Sequence, residues 1–298
     1  MHTRQNLIVS LALVLFTVPA GADPIVYVVN VAQQFGPVDL FTGSFTPIGS
    51  GTPDTVNGLA QGTNGSLLTL SVGGNLESIN PTTGAVTSVI PTGLGDCTNG
   101  TSLCGPTSSN VVGGFNGAVY ATDFNYDLYK VNPSTGVASL IGPTGVPPIT
   151  ANPTIPNPDG AFTLFEGNLF GAGGSLYTTR DAFNIDFGTG ISTPVLAPNL
   201  YRIDPSTGLA TLIGPTDYLS ALVEVNGTAY AFGGLNGQQI FSLDLTTGHT
   251  TFVSDLDPAA VVIVGAVQAA PEPASLALAG IGIAAVVLGR RRRRLEHP

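Results

Sequence analysis

The stretch 127–145, DLYKVNPSTGVASLIGPTG, is written again at 199–216 as NLYRIDPSTGLATLIGPT. A chain that repeats itself at this length folds as copies of one small unit, which restricts the architectures open to it. Thr-Gly pairs mark the unit five times, with glycines at 43, 84, 136, 208 and 248. Four positions before each glycine stands Asp39, Asn80, Asn132, Asp204 or Asp244, and Pro81, Pro133 and Pro205 follow three of them. An Asx side chain caps a turn, proline presets the next φ and glycine accepts a positive φ, so this is hairpin chemistry. On either side, Tyr129/Val131, Tyr201/Ile203 and Phe241/Leu243 alternate with polar residues, and Val89, Ile141, Ile213 and Val253 recur after the turn. Period-two alternation predicts half-buried strands.

A second turn precedes each of the last four Thr-Gly turns: Asn64-Gly65, Asn116-Gly117, Glu166-Gly167 and Asn226-Gly227. Asn-Gly favours the primed turns that suit twisted strands. From this glycine to the Thr-Gly glycine the spacing is 19, 19, 41 and 21 residues, so the fourth unit carries an insertion. Each unit then has four antiparallel strands, and a lone sheet of that size must bury its apolar faces against neighbours. The first unit begins at Ile25–Val29 without an inner strand, while the apolar run 260–267 has no unit of its own. The expected fold is all-β: a five-bladed β-propeller of four-stranded blades, closed by the C-terminal strand pairing into the first blade. The blades fall at 25–49 with 260–267, 58–91, 110–142, 160–214 and 221–254. An open β-solenoid and a two-sheet sandwich are the alternatives. The last unit is loosely similar to a kelch repeat, but no Trp follows its turn, and no kelch function carries over.

Residues 1–22 read as a secretory signal: Arg4, an apolar run from Leu7 to Val18, and Ala20-Gly21-Ala22 as a small-residue cleavage site. The body, 23–270, holds 17 acidic residues against Lys130, Arg180 and Arg202, a net charge of −14. Such a surface repels phosphate backbones, which argues against nucleic acid as a partner. At the other end, 274–289 is an uncharged stretch followed by Arg290, Arg291, Arg292, Arg293 and Arg294. As a helix it would be about 24 Å long, slightly short of a bilayer core of about 30 Å. The arginines would snorkel and stay cytoplasmic, which predicts one transmembrane helix at 274–289.

Pro271-Glu272-Pro273, a short hydrophobic helix and an arginine cluster, in that order over 271–298, closely resemble the PEP-CTERM sorting signal of Gram-negative bacteria. The resemblance implies recognition by an exosortase and the export machinery, brief retention in the inner membrane, cleavage near Pro-Glu-Pro, and delivery to the cell surface or an exopolysaccharide matrix. A plain C-terminal membrane anchor is the alternative.

Strand parity places the tight turns at one end of the units and every long segment, 91–110, 143–160 and 172–199, at the other, together with most loop aspartates. Variable loops on a rigid scaffold usually carry function, so this acidic face is the expected binding site. Within it Asp123, Asn125 and Asp127 space oxygens at i, i+2 and i+4, and Asp181, Asn184 and Asp186 form a similar cluster. Calcium takes six to eight oxygens, but the EF-hand pattern is not met, and ordinary Asx capping explains the same residues. No cofactor is expected, and calcium is the one candidate these residues offer. Cys97 and Cys104, in one loop of an exported chain, predict a disulfide; zinc would need further ligands, and no His is near. For catalysis there is no nucleophile elbow, P-loop or paired His, and His249 reads as a solvated strand-edge residue. The expected function is an exported binding or scaffold protein whose ligand is matrix polysaccharide, calcium or a surface protein. A carbohydrate-active hydrolase using two loop aspartates stays open as the alternative, because carboxylates need only meet in space.

Overall fold

The computed structural model describes residues 24–62, 65–71, 73–94, 111–115, 117–123, 126–146, 162–166, 169–186, 191–234 and 237–268. The signal 1–22, Cys97 and Cys104, the sorting motif, the segment 274–289 and the arginine cluster lie outside them.

The strands are β1 (Ile25–Asn30), β2 (Phe35–Asp39), β3 (Val56–Gln61), β4 (Leu67–Ser71), β5 (Asn75–Ile79), β6 (Val86–Pro91), β7 (Val111–Phe115), β8 (Ala118–Thr122), β9 (Asp127–Val131) and β10 (Ala138–Pro143). Then come β11 (Phe162–Glu166), β12 (Leu169–Ala172), β13 (Ser175–Asp186), β14 (Ile191–Ile203), β15 (Ala210–Pro215), β16 (Leu219–Val225), β17 (Thr228–Gly233), β18 (Gln239–Leu243), β19 (Thr250–Asp255) and β20 (Ile263–Gln268).

The turn chemistry is the same in all five copies. The Asx Oδ1 accepts the N–H two residues on at 2.8 or 2.9 Å, from Phe41, Thr82, Ser134, Ser206 and Thr246. Each glycine N–H donates to the Asx carbonyl at 2.8 Å. Each Thr Oγ1 accepts the N–H two further on at 3.2–3.4 Å. The glycines have φ of +68° to +82°. They also bring chains together: a Cβ on Gly136, Gly208 or Gly248 would stand 2.6–2.8 Å from the carbonyl oxygen of Pro91, Gly142 or Pro215 in the preceding outer strand. Gly43 meets the Asp255 carbonyl in the same way.

In β10, β15 and β19 one residue bulges out of register: Ile141, Ile213 and Val253. A bulge breaks the alternation and turns that side chain toward the neighbouring strands. Each packs on an apolar cluster shared by two successive strand runs. The buried core consists of five such clusters. One of them joins β1 and β2, through Val26, Val28 and Val38, to β16–β18 through Val223, Phe232 and Ile240.

These contacts do not sort the strands into the expected five-bladed propeller. The sheets hold three strands (β2-β1-β20), eight (β10-β9-β8-β7-β3-β4-β5-β6), five (β11, β12, β13, β14, β15) and four (β16-β17-β18-β19). Three local causes depart from equal four-stranded blades. First, β1 pairs with β20 on one side and β2 on the other, and segment 44–48 lies along β2 through the bridge Val38↔Phe45 and backbone bonds from Asp39 N–H to the Ser44 carbonyl, Thr46 N–H to the Pro37 carbonyl and Ile48 N–H to the Phe35 carbonyl, without becoming a named fourth strand. Second, β3 and β7 join through a single parallel pair, Gly58↔Val112. Gly58 has φ +73° and no side chain to hold β7 away, which fuses two runs into one sheet.

Third, the fourth run is rearranged. Its expected first hairpin does not form: β11 and β12 both pair with β13, β11 along 181–185 and β12 along 175–178. The segment 172–199, expected as a loop, is mostly the long ribbon β13–β14, whose register shifts near Pro194. As to the expected transmembrane helix, no helix among the described residues is long and apolar enough to cross a membrane.

Strands β20, β3, β7, β12 and β16 contact one another in succession, β16 touching β20 again. Their ends frame the concave part of the molecule.

Candidate functional site

The five contacting strands surround a cavity of about 290 Å³. Its wall mixes apolar side chains, among them Leu59, Phe170, Leu222 and Val267, with the glycines 62, 114, 117 and 171, and its polar side chains are Gln61 ending β3, Gln268 ending β20 and Glu224 on β16. The volume is at the lower end of small-molecule sites. Among the described residues Glu224 is the one carboxylate in this wall, and its Oε2 already accepts the Gly173 N–H at 3.0 Å. Gly117 and Ala118 also line a wider groove over β8–β10 that contains Lys130, Asn132, Thr135 and Ser139. Cavity and groove therefore meet at the β7–β8 turn. That is the tight-turn end of the strands, whereas the acidic loops were expected to make the site at the opposite end. β8 runs from Ala118 at the cavity to Thr122 beside the Asp123 loop, about 13 Å away at 3.3 Å per residue.

In that loop Asp123 works as a cap. Its Oδ1 accepts the Asp127 N–H at 2.9 Å and its Oδ2 accepts the Tyr129 hydroxyl at 3.2 Å. Its backbone carbonyl accepts the Tyr126 N–H at 3.0 Å. Burial, and then the Asp123 charge, pushes the Asp127 carboxyl above its ordinary range. The same two causes push the Tyr129 hydroxyl up to about 12. Asn125 lies outside the described residues. Asp181, Asn184 and Asp186 fall in strand β13 rather than in a loop, and 181 and 184 have opposite parity in it. Among the described residues no three His, Cys, Asp or Glu side chains converge. In two Thr-Gly turns, hydrogen bonds from Ser206 and Thr246 hold Asp204 and Asp244 below the carboxylate range.

The unusual residue that the sequence reading missed is Glu77. It is 0% exposed in β5, and neither carboxylate oxygen has a hydrogen-bond partner. Burial, then the neighbouring Asp54 carboxyl, raises its pKa to about 7. Repeat alignment reveals how unusual it is. Glu77 stands three residues before Asn80, as Tyr129, Tyr201 and Phe241 stand three before Asn132, Asp204 and Asp244. A carboxylate thus stands where three other runs hold an aromatic ring, a departure visible once the repeats are aligned.

Residues 269–294 match the PEP-CTERM protein-sorting motif. The motif implies export, processing by an exosortase, and a surface or matrix address. No curated protein matches the sequence. Among solved structures, BamB from Moraxella catarrhalis is 12% identical over 77% of this chain and 69% of its own, with a TM-score of 0.33. Virginiamycin B lyase from Staphylococcus aureus is 13% identical over 73% of this chain and 62% of its own, with a TM-score of 0.33. A protein of unknown function from Bacteroides caccae is 10% identical over 83% and 98%, with a TM-score of 0.41. None of these likenesses bears on activity.

Proposed function

We propose that this is an exported cell-surface or matrix protein that binds polysaccharide without cleaving it. The single observation that carries the reading is the composition of the cavity wall. The amide side chains of Gln61 and Gln268 beside an apolar ring at Phe170 suit a sugar, whose hydroxyls need donors and acceptors rather than charge. The groove that meets the cavity at Gly117 and Ala118 gives a polymer a path outward past Asn132 and Ser139. Hydrolysis of a glycosidic bond needs two carboxyl groups flanking it, and among the described residues this wall supplies one, Glu224. The sorting motif supports an address where such polymers are found.

The test is titration of the secreted protein with the matrix polysaccharide of the cells that make it, alongside an assay for new reducing ends. The binder reading expects saturable binding, weakened about tenfold by joint Gln61→Ala and Gln268→Ala substitution, with no new ends. Release of reducing ends that Glu224→Gln abolishes would establish the hydrolase instead.

A further inference from the structure

The buried Glu77 has no part in the cavity or the groove. It shares strand parity with Ile79 and, across the ladder, faces Thr69, whose neighbour Leu67 packs with Ile79 on Val29, Phe35 and Val56. Its carboxyl therefore looks into the seam between β1–β2 and β3–β6, where the connecting segment 50–55 brings Asp54 against it.

Two hydroxyls of this seam are already committed as donors elsewhere. The Thr69 hydroxyl donates to the Gly58 carbonyl at 2.8 Å, and the Thr52 hydroxyl donates to the Asp54 carbonyl at 3.0 Å. Both hydroxyls keep only lone pairs to offer. Two carboxylates form no hydrogen bond with each other unless one is protonated. The three basic residues of the body, Lys130, Arg180 and Arg202, belong to later strand runs. An acceptor-only pocket holding a buried, unpartnered carboxylate is incomplete without a positive charge.

We propose that Glu77 and Asp54 hold a hard divalent cation of the calcium class, which ties the 50–55 segment onto β5. The oxygen-only set selects against soft or imidazole-seeking metals. Thr69 Oγ1 is placed to add a ligand. Asp54, which is exposed, leaves one side open to the water that a calcium shell needs. Glu replaces an aromatic ring at this repeat position because a ring cannot coordinate. The site is independent of the polysaccharide reading, since it lies at another seam.

The probe is calcium chloride, added to the full chain freed of metal by chelator at pH 8. Calorimetry is expected to show one site with Kd on the order of 10⁻⁴–10⁻³ M, as in extracellular modules, and the melting temperature is expected to rise. Magnesium, which demands tighter octahedral geometry, is expected to bind at least about tenfold more weakly. Glu77→Gln and Asp54→Asn are expected to abolish the heat and the shift. Glu77→Tyr, which restores the residue of the other repeats, is expected to fold and ignore calcium, so misfolding of the first two variants leaves the test intact. Absence of heat and shift in the unaltered chain would overturn the site, leaving a carboxyl pair that shares a proton. So would an equal shift in Glu77→Tyr.

Discussion

At the residue scale, Glu77 and the turn glycines make opposite demands. The Glu77 carboxyl, at about 7 in the fold against 4.5 in an ordinary setting, binds a proton that the unfolded chain has already lost between those values. Its contribution to stability is therefore complete below about pH 4.5, declines as pH rises through 7, and is flat beyond, by at most about 3 kcal/mol. In chelator, urea midpoints at pH 5, 6, 7 and 8 should fall accordingly, and Glu77→Gln should flatten the series. Gly208 and Gly227 share φ of +82° and +80°, but only Gly208 has a neighbouring carbonyl where a Cβ would go. Gly227→Ala should cost about 1–2 kcal/mol, from φ alone, and Gly208→Ala distinctly more. Equal losses in urea unfolding would mean that close approach between strand runs does not matter. The repeated glycine was legible as a turn signal. That it also admits the backbone of the preceding run was not, because the carbonyl it meets is distant in the chain, Gly142 for Gly208.

At the element scale, strands were legible wherever local alternation and turn residues agreed, as in β16–β19, and obscure where pairing was non-local. The segment 172–199 contains glycines and prolines that read as loop, yet β13 and β14 pair over most of their length. Partnership, not propensity, makes them strands. The same holds for β20. Its pairing with β1 buries Ile263 and Ala266 against β16, and without it β1 would present an open, apolar edge. A chain ending at residue 268 should unfold cooperatively. One ending at 262 should aggregate or lose its cooperative transition, and size-exclusion chromatography with thermal unfolding will separate the two. An unchanged transition in the shorter chain would show that β20 is dispensable.

At the scale of the whole molecule, an acidic repeat body is joined to a short address. The address was readable because sorting signals act as linear motifs: Pro271-Glu272-Pro273 is recognised as sequence. Replacing all three with alanine should leave the protein in the cell-envelope fraction instead of at the surface or in the medium, as judged by fractionation and immunoblotting. Surface delivery of the replaced protein at the normal level would refute processing at that motif.

The amino-acid order alone determined the turn type, the strand alternation and the address, because each depends on residues within a few positions of one another. Only the tertiary structure decided that Gly58 fuses two runs into an eight-stranded sheet, that β12 reaches the cavity, and that Glu77 is buried beside Asp54. Those outcomes depend on which distant backbones can approach closely enough to exclude solvent, and no local pattern encodes that.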